Sequence, residues 1–290
     1  MSPFEHPHDL LGMPEPVQIA AAGTSFPIAT AGQGSAVLFV HGAWADLRIW
    51  HGVWKDVAEK NKYLAMTQRH FGSGVWSSDK LFSRDVHTSD LIALLKALNT
   101  PVNLVGWSYA GGILLNATSQ VPELVRSLVI FEPSFESEAL PKNNDSLLHA
   151  REVFWEELEP AYKIAQTGDL HAAMRLGIEV VFGLGKGGFT TLDPSAQRVF
   201  LDNAHTMIPD LEAPAPQVLN KAELSNILCP VLICCGERTH EQYKMMAEST
   251  LADLPNGVLR LFEDVGHGGP VQVPKKFSEA VLNFVGAHGP

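Results

Sequence analysis

Short, unbroken apolar runs alternate along the chain with longer segments whose apolar positions recur at helical spacing. "AVLFV" (36–40), "YLAMTQ" (63–68), "VNLVG" (102–106), "RSLVIFE" (126–132), "PVLICCG" (230–236) and "GVLRLFED" (257–264) read as strands. They are continuously apolar rather than alternating, the pattern of strands buried on both faces of a mainly parallel sheet. Between the first two, residues 45–60 put Ile49, Trp50, Val53, Trp54 and Val57 on one helical face. Residues 83–99 do the same with Val86, Leu91, Leu94, Leu95 and Leu98. "EQYKMMAESTLADL" (241–254) and "VPKKFSEAVLNFVGAH" (273–288) supply two further helices. Strand and helix in alternation predict an α/β fold with helices on both faces of the sheet.

The rhythm breaks between about Pro133 and Leu228, where the pattern is helical with Pro and Gly punctuation and no buried strand. An insertion of that length between consecutive strands reads as a lid over the strand ends, where open α/β sheets bind ligands. The alternative is a peripheral helical layer with no part in access. The expected organisation is a core of residues 1–133 and 229–290 with a helical cap over 134–228.

Charge and composition narrow the partners. The formal charge of −11 argues against nucleic acid or an anionic membrane as the main partner. No apolar run approaches the ~20 residues of a membrane span, and the N-terminus lacks the basic and apolar regions of a signal peptide. Cys229, Cys234 and Cys235 fit no disulfide framework, and adjacent cysteines in a strand point to opposite faces, so they form no metal motif. These features suit a cytoplasmic protein. No phosphate loop, dinucleotide fingerprint or metal cluster is evident, and "HPH" (6–8) lies in a tail, so neither cofactor nor metal is expected. A monomer and a homodimer are equally compatible with the chain.

The chemistry gathers around "VNLVGWSYAGG" (102–112), where a buried strand ends at a serine flanked by small residues. Ser108 with Gly106, Ala110 and Gly111 fits a sharp strand–serine–helix turn that exposes the hydroxyl and aims helix N-terminal N–H groups at developing charge. The simpler reading is a helix N-cap, which serine also favours. Two other features bear on the choice. "HGAW" (41–44) follows the first long strand, and its loop could donate an oxyanion N–H from Ala43 or Trp44 beside that of Tyr109. "FEDVGHGGP" (262–270) places His267 in a glycine-rich loop before the last helix. Together these motifs, from about residue 17 to 287, resemble the α/β-hydrolase fold family.

That resemblance implies a mainly parallel eight-stranded sheet flanked by helices, with a helical cap inserted after the sixth strand. It implies Ser108 as nucleophile and His267 as general base. The family's usual acid, the second Asp of a G-D-x-D motif, is replaced here by Thr239 in "CCGERTH". Three carboxylates could substitute: Glu132, Glu237 and Glu241. Glu132 is favoured, because some relatives carry their acid at the end of the strand that follows the nucleophile helix. Asp264 reads as a strand-end residue. Trp107, Phe71, Phe135 and Trp155 are candidate pocket residues, with Phe154, Met174, Phe182 and Met207 as further apolar cap positions. Arg69 and His70 border the site or brace a turn. The implied activity is hydrolysis of a small, largely apolar carboxylic ester or lactone through an acyl-enzyme. The alternatives are cofactor-free lyase or dioxygenase chemistry, or a ligand-binding relative without turnover.

Overall fold

A computed structural model describes residues 10–72, 76, 80–134 and 145–288. It contains a single eight-stranded sheet in the order β1-β2-β4-β3-β5-β6-β7-β8. The strands are β1 (Val17–Ala21), β2 (Thr24–Ala31), β3 (Ala36–Val40), β4 (Lys62–Met66), β5 (Val102–Trp107), β6 (Val125–Phe131), β7 (Val231–Gly236) and β8 (Gly257–Phe262). β2 runs antiparallel to both neighbours, and the pairings from β4 through β8 are parallel. The helices are α1 (Trp54–Ala58), α2 (Arg84–Leu98), α3 (Tyr109–Gln120), α4 (Asp145–Gln166), α5 (Leu170–Phe182), α6 (Pro194–Asp202), α7 (Met207–Glu212), α8 (Lys221–Ser225), α9 (Glu241–Ala252), α10 (Gly269–Gln272) and α11 (Pro274–Ala287).

The central strands are apolar throughout because both faces are covered. Val37 and Phe39 of β3 enter one core cluster with Trp50, Val105, Phe131 and Phe277. Leu38 and Val40 enter the other, with Leu94, Leu104, Leu114 and Ile130. The first cluster continues into the inserted helices through Met174, Phe182, Phe200 and Met207. The insert therefore shares a core with one face of the sheet. Among the described residues it holds helices α4 to α8 and no strand.

Three expectations need correction. The helix expected over residues 45–60 is a 3-10 helix, Leu47–Gly52, followed by the short α1. Asp46 caps it, accepting from the Arg48 N–H, and Val53 N–H donates to Trp50 O, so the segment winds too tightly for an α-helix. β8, whose apolar run reads as buried on both faces, is an edge strand with Val258, Leu259 and Leu261 exposed. The N-terminal hairpin β1–β2 is not anticipated by the apolar pattern, since β1 is exposed at the sheet edge and β2 carries Pro27.

A buried ionic network ties the insert to the core. Asp46, fully buried, accepts from Arg48 Nη2 and from Asn203 Nδ2, both at 2.7 Å. Arg48 also reaches Asp202 at 2.8 Å, and Asn203 Oδ1 accepts from the Gly72 N–H at 2.7 Å. The loop after β3, the loop after β4 and the end of α6 thus share one polar knot. The Arg48 guanidinium and the bonds from Asn203 hold the Asp46 carboxyl below the usual carboxylate range, although burial opposes this. Asp46→Ala leaves Arg48 without its buried partner and is predicted to cost about 3–5 kcal/mol. Urea denaturation measures this, and an unchanged unfolding midpoint would contradict it.

Candidate active site

Ser108 sits between β5 and α3 with φ 53° and ψ −114°, a left-handed conformation uncommon for a residue with a side chain. The turn is held by Ser108 N–H donating to Phe131 O at 2.9 Å, and Ser108 O accepts from Gly111 N–H and Ser134 N–H. Its small neighbours have packing reasons. A Cβ on Gly106 would lie 2.7 Å from Leu114 Cδ2, and one on Gly111 would lie 2.6 Å from Pro133 Cα. Glycine at 106 lets α3 press against β5, and glycine at 111 lets it press against the end of β6. The Ser108 side chain makes no capping bond to α3, unlike an ordinary serine N-cap.

Glu132 follows β6, also at positive φ (47°), and is fully buried. Its Oε2 lies 2.5 Å from His267 Nδ1 and accepts from Thr239 Oγ1 at 2.7 Å, while Oε1 accepts from Gly236 N–H at 2.6 Å. Thr239 therefore serves this site as a donor to a carboxylate that arrives from β6. The parallel register pairs Phe131 with Cys234, which brings Glu132 level with the end of β7. Glu237 and Glu241 face elsewhere: Glu237 accepts from Asp264 N–H, and Glu241 approaches Lys244 on the surface of α9. Asp264 pairs with Arg238.

His267 is buried, and its loop threads between the sheet and the insert. A Cβ on Gly268 would meet the Phe182 ring at 2.4 Å, and one on Gly269 would meet the Phe131 ring at 2.2 Å. Trp107 Nε1 donates to His267 O at 2.8 Å, and the Tyr243 ring stacks on the imidazole at a centroid distance of 3.9 Å. These contacts fix the ring plane. Its Nε2 is buried and has no hydrogen-bond partner among the described residues.

Ser108 and His267 line one cavity of about 190 Å³, together with Ala43, Trp44, Trp107 and Tyr109. The N–H groups of Ala43, Trp44 and Tyr109 make no backbone hydrogen bond among the described residues. Tyr109 opens α3, where helical N–H groups have no partner in their own helix, and Trp44 has φ 58°. The cavity wall is completed by Phe154, Leu158 and Tyr162 of α4, Ile178, Val181 and Phe182 of α5, and Phe200. Phe71 is not part of it: it lies in the core under Tyr109, packed against His41, Phe82 and His87. Trp155 lines a second chamber and stacks on Tyr162 instead. Met174 and Met207 are buried inside the insert. Arg69 is locked in a buried pair with Asp90, and His70 Nε2 contacts Lys80 O, so both brace the loop. Phe135 and the "HPH" segment lie outside the described residues.

Arg84 and Asp210, which the sequence does not single out, also border the cavity. Trp44 Nε1 donates to Asp210 Oδ2 at 3.1 Å, joining the loop after β3 to α7. Burial pushes the Asp210 carboxyl up to about 6, against the opposing pull of Arg84 and the indole bond. Among the described residues, no group of three or more His, Cys, Asp or Glu is placed to hold a metal ion. No helix there is long and apolar enough to cross a membrane.

Residues 37–280 match the model of the "Alpha/beta hydrolase family". The chain belongs to that family. It is 32% identical over 120 residues to a 2-hydroxymuconate semialdehyde hydrolase of a Pseudomonas species, a match spanning 39% of this chain and only 41% of that protein. It is 24% identical over 274 residues to an uncharacterized protein of Mycobacterium tuberculosis, covering 88% of this chain and 76% of the other. Among solved structures, naproxen esterase from Bacillus subtilis superposes with a TM-score of 0.72 at 18% identity, covering 95% of this chain and 93% of that one. A bromoperoxidase from Bacillus anthracis gives 0.70 at 22% identity, covering 90% and 95%. At these identities the likeness concerns the fold.

The Asp210 environment makes a stability prediction. Its folded pKa lies above the unfolded value, so wild type loses stability as pH rises from about 4 through about 6. Asp210→Asn keeps an acceptor for Trp44 and removes that loss. It is predicted to gain on the order of 1–3 kcal/mol over wild type at pH 8, and far less at pH 4. Urea denaturation at the two pH values tests this; the same difference at both would contradict it.

Proposed function

We propose that the chain is a serine hydrolase that cleaves a carboxylic ester or lactone of a small, largely apolar substrate through an acyl-enzyme. One observation carries the reading: a buried carboxylate holds His267 Nδ1, while the opposite ring nitrogen is unpartnered in a cavity shared with a serine on a strained turn. In this reading Ser108 Oγ attacks the substrate carbonyl as His267 Nε2 takes its proton. Glu132 keeps the proton on Nδ1 and stabilises the imidazolium. The Tyr109 N–H, with that of Ala43 or Trp44, receives the oxyanion. His267 then protonates the leaving group, and water enters to cleave the acyl-enzyme by the same steps in reverse.

A second reading keeps Ser108 and His267 but hydrolyses a semialdehyde substrate in place of an ester. It is supported by the name of the Pseudomonas relative, a semialdehyde hydrolase. Proton-abstraction chemistry without an acyl-enzyme, or ligand binding without turnover, would leave esters intact.

The test is hydrolysis of p-nitrophenyl acetate and butyrate by wild type, Ser108→Ala and Glu132→Gln. Wild type should turn over with a burst of p-nitrophenol, and Ser108→Ala should be inactive. Glu132→Gln should lose about 10³–10⁴ in kcat, because an amide leaves the imidazole in the wrong tautomer. Unchanged turnover in Ser108→Ala, or a near-wild-type rate in Glu132→Gln, would overturn these assignments.

A further inference from the structure

The Ser108 cavity adjoins a second chamber of about 430 Å³ lined by Arg151, Trp155, Ala213, Pro214, Ala215 and Met246, among others. The two share Arg84, Tyr109, Ser134, Phe154, Asp210 and Tyr243 on their walls. Trp155 and the 213–216 stretch are at least partly exposed, so this second chamber is the outer one. Arg84 stands at the junction.

Several features of Arg84 are hard to explain by folding alone. It is the first residue of α2, directly after the Ser83 cap, where the helix dipole disfavours a cation. No carboxylate lies within ion-pair distance of it among the described residues; Asp210, on the facing wall, is beyond that range. The guanidinium is nevertheless held in place. Nη1 donates to Ser134 O, Nη2 donates to Ser134 Oγ at 3.3 Å, and the group lies 4.6 Å from the Tyr109 ring centroid. Ser134 N–H in turn donates to Ser108 O at 3.0 Å, so the cation is registered to the serine turn through one residue. A guanidinium has five N–H donors, and the bonds to Ser134 occupy two. What remains, among the described residues, is a rigidly mounted cation with spare donors and no carboxylate in ion-pair contact, facing a cavity that is otherwise mostly apolar. The fork geometry of such a group suits a carboxylate.

We propose that Arg84 docks a carboxylate on the substrate, so that the molecule cleaved at Ser108 is an ester or lactone that also carries a free carboxylate. The apolar part next to the cut bond fills the inner cavity, and the charged end stops at the junction of the chambers. Asp210 opposes an anion, but its carboxyl already holds its proton up to about 6 and protonates further beside a bound anion. The proposal rests on the hydrolase reading, and its test separates the two.

Two pairs of substrates of matched length place the charge on either side of the scissile bond. On the acyl side, the p-nitrophenyl monoester of adipic acid is compared with p-nitrophenyl hexanoate. On the leaving-group side, 4-carboxyphenyl hexanoate is compared with phenyl hexanoate. The readout is the ratio of kcat/KM for the charged and neutral member of each pair. Arg84→Met should lower that ratio by about 10–100-fold in at least one pair, mainly through KM, the scale of a charge-assisted hydrogen bond. Arg84→Lys, which keeps the charge but not the fork, should recover part of the loss. A ratio unchanged in both pairs overturns the proposal. A second arm needs no turnover: Ser108→Ala, with and without Arg84→Met, is titrated calorimetrically with monomethyl adipate. Binding weakened roughly tenfold or more by Arg84→Met supports the proposal; equal binding by both proteins, or by neither, overturns it. If wild type cleaves no ester, the hydrolase reading fails while this arm still decides the role of Arg84.

Discussion

The site depends on one buried bond, between Glu132 Oε2 and His267 Nδ1. A carboxylate taken out of water must have its lone pairs satisfied, and here the Gly236 N–H, the Thr239 hydroxyl and the imidazole supply the donors. Each donor comes from a different part of the chain: the end of β7, the turn after it, and the loop after β8. The bond therefore requires β6, β7 and β8 to be in register before it can form. It also sets the position of the His267 loop, which the glycines on either side allow to pass between Phe131 and Phe182. The imidazole is thereby clamped by the core on one side and by the insert on the other.

A second constraint sits at the opposite wall. The Asp46 knot joins the loops after β3 and β4 to α6, and the Trp44 indole joins the first of these loops to α7. The candidate oxyanion donors Ala43 and Trp44 lie in that same loop, so their placement relies on the insert being docked. The inserted helices are built into the cavity wall as well as covering it. Arg84 reaches the cavity from a third direction, through Ser134, and brings a positive charge to a mostly apolar chamber, with no carboxylate in ion-pair contact among the described residues.

The central parallel strands are legible in the sequence because burial on both faces leaves an unbroken apolar run, whereas β8 has a similar run but is an exposed edge strand. β1 and β2 are not legible, since β1 is exposed at the sheet edge and the run of β2 is interrupted by Pro27. The segment after "HGAW" misleads because its apolar spacing fits an α-helix, while the Asp46–Arg48 contact that tightens it is a matter of geometry. Ser108 and His267 stand out by their glycine neighbours, whose reason is steric. Glu132 is visible as a strand-end carboxylate only because Thr239 leaves the familiar position without charge. That Thr239 then donates to Glu132 follows from the β6–β7 register, which a sequence does not display. Phe71 reads as a pocket aromatic and lies one layer deeper, because a loop residue's direction depends on the turn that carries it. Arg84 and Asp210 carry no motif and come to line one cavity only because the fold brings the start of α2 and α7 to it.

The most direct test of the account is proton NMR of the His267 imidazole, seeking the far-downfield Nδ1–H resonance of a ring bonded to a buried carboxylate. The spectrum of wild type is compared with those of Glu132→Gln and Glu237→Gln. The account predicts that the resonance is present in wild type and in Glu237→Gln and is lost or moved strongly upfield in Glu132→Gln. A resonance that survives Glu132→Gln unchanged, or disappears with Glu237→Gln, would show that another acid holds the histidine.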